Sequence, residues 1–131
     1  MKVMLLVIAN PNTAPKPPTP EALLAMHQFN EELEKAGVLV DLGGLTPPSS
    51  GVRVHYSGRK RTVIDGPFAE AKEMIAGFSL LEVKSLAEAI EWAKRAPLDG
   101  DAVVELRPLF DPSEFDVPGE AEERAKKLGK A

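Results

Sequence analysis

The sequence predicts an α+β domain built on the order strand, helix, strand, hairpin, strand, helix, strand. Three observations predict it. Two amphipathic stretches each begin with a helix-start signal. Short apolar runs bounded by Gly and Pro read as strands. A pair of such runs in the middle of the chain is joined by a Ser-Gly turn, the mark of a hairpin.

The first strand covers Lys2 to Ala9. Met4, Leu6 and Ile8 point one way, and Val3, Leu5 and Val7 the other, so both faces must be covered. Asn10 to Pro20 holds five prolines and reads as an extended loop. Thr19-Pro20-Glu21 then supplies a hydroxyl cap, a proline at the first helical position and an acid in the first turn. Ala22, Met26, Phe29, Leu33 and Ala36 form one apolar stripe, and Gly37 closes the helix. Val38 to Leu42 is the second strand, followed by a break at Gly43-Gly44 and Pro47-Pro48-Ser49-Ser50-Gly51.

Val52, Val54 and Tyr56 alternate with Arg53, His55 and Ser57, which predicts a half-buried strand. Ser57-Gly58 turns it into Arg59 to Asp65. A loop from Gly66 to Met74 leads to a strand over Gly77 to Val83. Ser85-Leu86-Ala87-Glu88 is a capping box, opening a helix with Leu86, Ala89, Ile90 and Ala93 on one face that ends at Pro97. Ala102 to Pro108 is the last strand. Residues 111–131 have few apolar anchors and read as a peripheral, partly helical tail, leaving 1–110 as the domain.

Setting the hairpin aside leaves βαββαβ, the ferredoxin-like pattern. Two helices cover one face of such a sheet and leave the other bare, against a first strand that is apolar on both sides. A second copy is the simplest cover, so a homodimer of α/β-barrel type through the open sheet face is expected.

Composition narrows the function. The 131 residues are 44% hydrophobic and 27% charged, as in an ordinary globular domain. A net charge of −4 disfavours direct nucleic-acid binding, which needs clustered positive charge. The absence of cysteine removes disulfides and thiolate chemistry and fits a reducing, cytoplasmic setting. No run approaches the ~20 apolar residues of a membrane span, and the N-terminal run stops without a small-x-small cleavage site. There is no phosphate-cradling glycine loop and no G-x-S-x-G elbow, and with two separated histidines no metal site or cofactor is expected.

The chemistry concentrates around Asp65-Gly66-Pro67-Phe68-Ala69-Glu70-Ala71-Lys72-Glu73. The Gly-Pro pair restricts the backbone and a lone aromatic pins the loop, while the charges stay available. Asp65 and Glu73 are candidate acid/base groups; their structural alternatives are a turn carboxylate and a solvated charge. Phe68 is a core anchor or a pocket wall. Gly66, Pro67, Glu70 and Lys72 complete the candidate binding loop. Arg53, with His55 on the same face, and Arg107, beside Glu105, are candidates to hold an anion; alternatively the basic hairpin protects a sheet edge.

Beyond this loop, the chain resembles the DGPF branch of the YCII-related family over about Met1 to Pro108. The pieces that carry the resemblance are Glu31-Glu32-Leu33-Glu34-Lys35-Ala36-Gly37-Val38-Leu39, Thr62 through Glu73, Ile75-Ala76-Gly77-Phe78, Ser85 through Ala93 and Val104-Glu105-Leu106-Arg107-Pro108. The resemblance implies a dimeric ferredoxin-like α/β barrel. It also implies an association of some members with extracytoplasmic-function sigma factors, and of a related branch with chloride elimination from small aromatic compounds. The enzyme-like branch is associated with a His on the first helix and an Asp before the proline that follows the second. Here Ala96 precedes Pro97, and the helix offers His27, with Met26 the alternative equivalent.

Three readings follow: a dimeric small-molecule-binding protein, a cofactor-free lyase or isomerase acting through carboxylates on a small aromatic or carbonyl substrate, and an accessory module for a sigma-factor-type regulator. The first is the expectation carried forward.

Overall fold

A central strand that is apolar on both sides needs neighbours at both edges and cover on both faces, and β1 (Lys2–Ala9) has both neighbours. The computed structural model describes residues 1–9, 18–68, 73–98, 102–114 and 127. In chain order they form β1, α1 (Pro20–Lys35), β2 (Leu39–Gly44), β3 (Val52–Ser57), β4 (Lys60–Asp65), β5 (Met74–Glu82), α2 (Leu86–Lys94) and β6 (Val103–Pro108). Single 3₁₀ turns sit at Pro48–Ser50 and Pro112–Glu114. The main sheet runs β2-β5-β1-β6 with antiparallel neighbours throughout, and β3-β4 forms a separate two-stranded sheet. With the hairpin set aside, that strand order is the ferredoxin-like one.

The register assigns the faces. Val3 lies opposite Leu81, and Leu5 opposite Leu106. Val3, Leu5 and Leu81 meet Phe29 and Leu33 of α1, Ala89 of α2, Val38 and Val83 in one buried cluster, with the partly buried Leu106 packed against it. Met4, Leu6 and Ile8 project from the opposite face beside Leu80, Phe78 and Ile75 of β5. None of these six belongs to the cluster around Leu33; Leu80 is buried, at 5% exposure, and Met4, Leu6 and Ile8 are half-buried. The sheet therefore has one covered face and one on which nothing in that core packs.

Helix starts follow the sequence. Thr19 Oγ1 accepts the Ala22 N–H at 3.1 Å ahead of Pro20 at N1. Ser85 Oγ accepts the Glu88 N–H at 3.2 Å. The return arm of that capping box differs: Glu88 Oε1 accepts the N–H of Lys84, one residue before the cap, at 2.9 Å. Its other oxygen accepts the Trp92 Nε1–H at 3.4 Å. The face of α2 that meets the core carries Ala89, Trp92 and Ala93, followed by Ala96 just beyond the helix. Leu86 and Ile90, expected on the buried face, are each 40% exposed.

Two other elements depart from expectation. β5 begins at Met74, three residues before the expected Gly77, because Met74 and Ile75 pair with Ala9 and Ile8 across an irregularity in the ladder. The alternation in β3 predicts burial of Val52, Val54 and Tyr56, yet every residue of β3 and β4 is exposed. Period-two alternation shows that one face wants cover; it does not say that the same chain provides it. The turn residues are Gly58-Arg59, with Gly58 at φ +59°, where a two-residue hairpin turn favours glycine.

The proline-rich stretch at 10–17 and most of the expected tail lie outside the described residues. At the start of that tail Asp111 accepts the Ser113 N–H and Oγ–H at 2.9 and 2.8 Å. These two hydrogen bonds hold the Asp111 carboxyl below the usual carboxylate range.

Leu33 is fully buried between the first helix and the sheet. Leu33→Ala is expected to lower unfolding free energy by about 2–5 kcal/mol, read by urea denaturation. A loss well below that range would place Leu33 outside the load of the core.

Candidate functional site

The Gly66–Pro67–Phe68 segment is held to the body by a close approach that only glycine permits. The Gly51 N–H donates to the Pro48 carbonyl, and the Gly66 N–H to the Gly51 carbonyl, both at 2.9 Å. A Cβ on Gly66 would sit 1.9 Å from the Pro48 oxygen. The sequence reason for Asp-Gly here is thus the backbone beneath it, contributed by a Pro-Pro-Ser-Ser-Gly turn. The Gly66–Pro67 peptide is cis.

Above this clasp lies a shallow cleft of about 400 Å³. Its lining draws Leu45, Thr46, Pro47, Pro48 and Gly51 from the β2–β3 connection and Glu73, Met74 and Ile75 from the start of β5. Arg53 and Phe68 complete it. The Arg53 guanidinium carbon stands 3.8 Å from the centre of the Phe68 ring. Phe68 is half-buried and outside the core cluster, so its ring serves as a wall of the cleft and a platform for a cation.

The candidate residues divide around this feature. Arg53, Phe68 and Glu73 line the cleft, and Gly66 and Pro67 form the segment clasped beside it. Asp65 pairs with Val52 whereas Arg53 pairs with Ile64, so the two lie on opposite faces of the hairpin. Asp65 is exposed and is not part of the lining. Arg107 sits opposite Met4, towards the other end of β1, and donates to Glu105 at 3.4 Å. His27 is 70% exposed and pairs with Glu31 at 2.9 Å on its own helix. Glu70 and Lys72 lie outside the described residues. Met26 and Ala96, at the positions where a His and an Asp were considered, both pack against the apolar core. Among the described residues, no group of three or more His, Asp or Glu is placed to hold a metal ion.

Sequence reasoning missed the 45–51 side of the cleft and the pair Met74–Ile75. The signal was present in the double proline, which gives a rigid apolar rim, and in Gly66, whose missing Cβ needs a close neighbour. What the sequence lacks is the pairing of those two stretches.

Comparison with known proteins adds a family. Residues 1–113 match the model of the YCII-related domain. The chain is 34% identical over 85 residues to an uncharacterized protein of Rhizobium meliloti (strain 1021), an alignment covering 62% of this chain and 68% of that protein.

Gly66→Ala is expected to destabilise the fold by about 1–3 kcal/mol through overpacking against the Pro48 carbonyl. Amide resonances of residues 48–53 should shift with it. Wild-type stability and unshifted resonances in that variant would contradict the clasp.

Proposed function

The chain belongs to the YCII-related family, and on that premise we propose that it binds a small molecule in the cleft between the 45–51 connection, Phe68 and the start of β5. The observation that carries this reading is the Arg53–Phe68 stack inside an otherwise largely apolar concavity. Pockets of this kind combine apolar walls with a few placed polar groups, and about 400 Å³ lies within the usual range for small ligands. Of the two candidate acid/base groups only Glu73 lines the cleft, so proton transfer on a bound substrate, the alternative reading, falls to Glu73. The reading of residues 1–110 as the domain goes with this proposal, as does a cytoplasmic location; none of the described helices is long and apolar enough to cross a membrane.

The working unit of this proposal is a homodimer joined through the open sheet face. Met4, Leu6, Ile8 and Phe78 make that face apolar while the core lies on the other side. Ile75 lies opposite Ile8 on the same face and also lines the cleft, so the site adjoins the proposed interface.

Native mass spectrometry of the purified protein tests both parts. A dimer carrying a small mass that denaturation removes supports the reading; a bare monomer that takes up nothing from a cell extract contradicts it. For the interface, Leu6→Arg should give a folded monomer by sedimentation velocity and circular dichroism. A variant that remains dimeric would move the interface elsewhere.

A further inference from the structure

Among the described arginines, Arg53 differs from the others in what surrounds it. Arg61 donates to the carbonyls of Gly58 and Lys60, Arg95 to Glu32, and Arg107 to Glu105. Arg59 stands at the hairpin turn, outside the cleft. Arg53 lies in the cleft with its guanidinium against the Phe68 ring, and among the described residues no acceptor takes its N–H groups. Stacking uses the guanidinium's face and leaves its edge, a planar fork of donors, open for a planar acceptor.

Glu73 lines the same cleft, and no ion pair joins it to Arg53. Opposite charges facing one small cavity would be expected to close on each other unless the backbone holds them apart. Arg53 belongs to β3 and stacks on Phe68, while Glu73 immediately precedes β5. The rest of the lining among the described residues is Leu45, Thr46, Pro47, Pro48, Gly51, Phe68, Met74 and Ile75, in which Thr46 carries the one polar side chain. The two prolines have no N–H to offer.

From this arrangement, which rests on the small-molecule reading of the cleft, we infer that the ligand is a small monocarboxylic acid with an apolar body and a hydrogen-bond donor at its far end. The carboxylate takes the free edge of Arg53, where two parallel N–H···O bonds match its plane. The apolar body lies along the proline, leucine and isoleucine walls. A hydroxyl or amine donates to Glu73. A dicarboxylate sets its second charge against Glu73, and a phosphate ester brings up to two negative charges to a site with one cation among its described residues.

The test uses the full chain and four probes: 4-hydroxyphenylacetate, phenylacetate, 4-(2-hydroxyethyl)phenol and phenyl phosphate. Affinities come from calorimetry and the location from amide shift changes. The expected order places 4-hydroxyphenylacetate first, with shifts at residues 45–53 and 73–75. Arg53→Gln should weaken both carboxylates about tenfold, the size expected for a hydrogen bond to a charged group, and leave 4-(2-hydroxyethyl)phenol unchanged. Glu73→Gln should reduce the preference for the hydroxylated acid over phenylacetate. Both variants lie on exposed positions, and circular dichroism confirms their folding.

Tighter binding of phenyl phosphate, or carboxylate affinity unchanged in Arg53→Gln, overturns the ligand class. If no probe shifts the cleft while a copurified compound of other chemistry does, the class is wrong and the cleft reading stands. If neither the probes nor any copurified compound shifts cleft residues, both fall.

Discussion

β1 is the constraint on which the fold depends. It is the inner strand of four, hydrogen-bonded to β5 on one edge and β6 on the other, and its side chains are apolar on both faces. One face is covered by the two helices, whose apolar stripes converge on Val3 and Leu5. The other carries Met4, Leu6 and Ile8 past the edge of that core. Burial of apolar area contributes about 25 cal/mol per Å², so a half-covered strand is a standing drive towards association. The dimer proposal follows from that asymmetry.

The same strand locates the cleft. Its C-terminal end pairs with Met74 and Ile75, and the ladder irregularity between Val7 and Ile8 sets Ile75 beside Ile8 on the face away from the core cluster. The hairpin then returns to the body at Gly66, where backbone approaches backbone too closely for any side chain. The double-proline connection and the Phe68 segment are thereby tied to each other, and both line the cleft with the start of β5. Arg53 is the first charged residue past the clasp on β3, and Phe68 the first aromatic past it after β4. Their stacking is a consequence of where the hairpin is tied down.

Much of the fold is legible in the sequence because its signals are local. Thr19-Pro20-Glu21 and Ser85 fix two helix starts, and alternation on β1 fixes its faces. The order of elements then leaves few ways to build a sheet. Three things are not local, and there the sequence misleads or is silent. The buried face of α2 is set by which of its residues meet the core, Ala89, Trp92 and Ala93, and not by the Leu86–Ile90 stripe. The exposure of Val52, Val54 and Tyr56 depends on whether another surface covers them. Of the site, Arg53, Phe68 and Glu73 are readable as chemistry-bearing residues, but which of them meet is decided by register. Asp65 shows this most clearly: one position along the strand turns its carboxylate to the opposite face from Arg53.

The placement of Arg53 against Phe68 is the geometry on which the cleft and its ligand both rest, and proton NMR reads it without any ligand. A guanidinium 3.8 Å from the centre of an aromatic ring lies in that ring's shielding region. The Arg53 Hδ and Nε–H resonances should therefore appear upfield of those of Arg59 and return to ordinary positions in Phe68→Leu. Arg53 resonances at ordinary positions in the wild-type protein, unmoved by that substitution, would contradict the account.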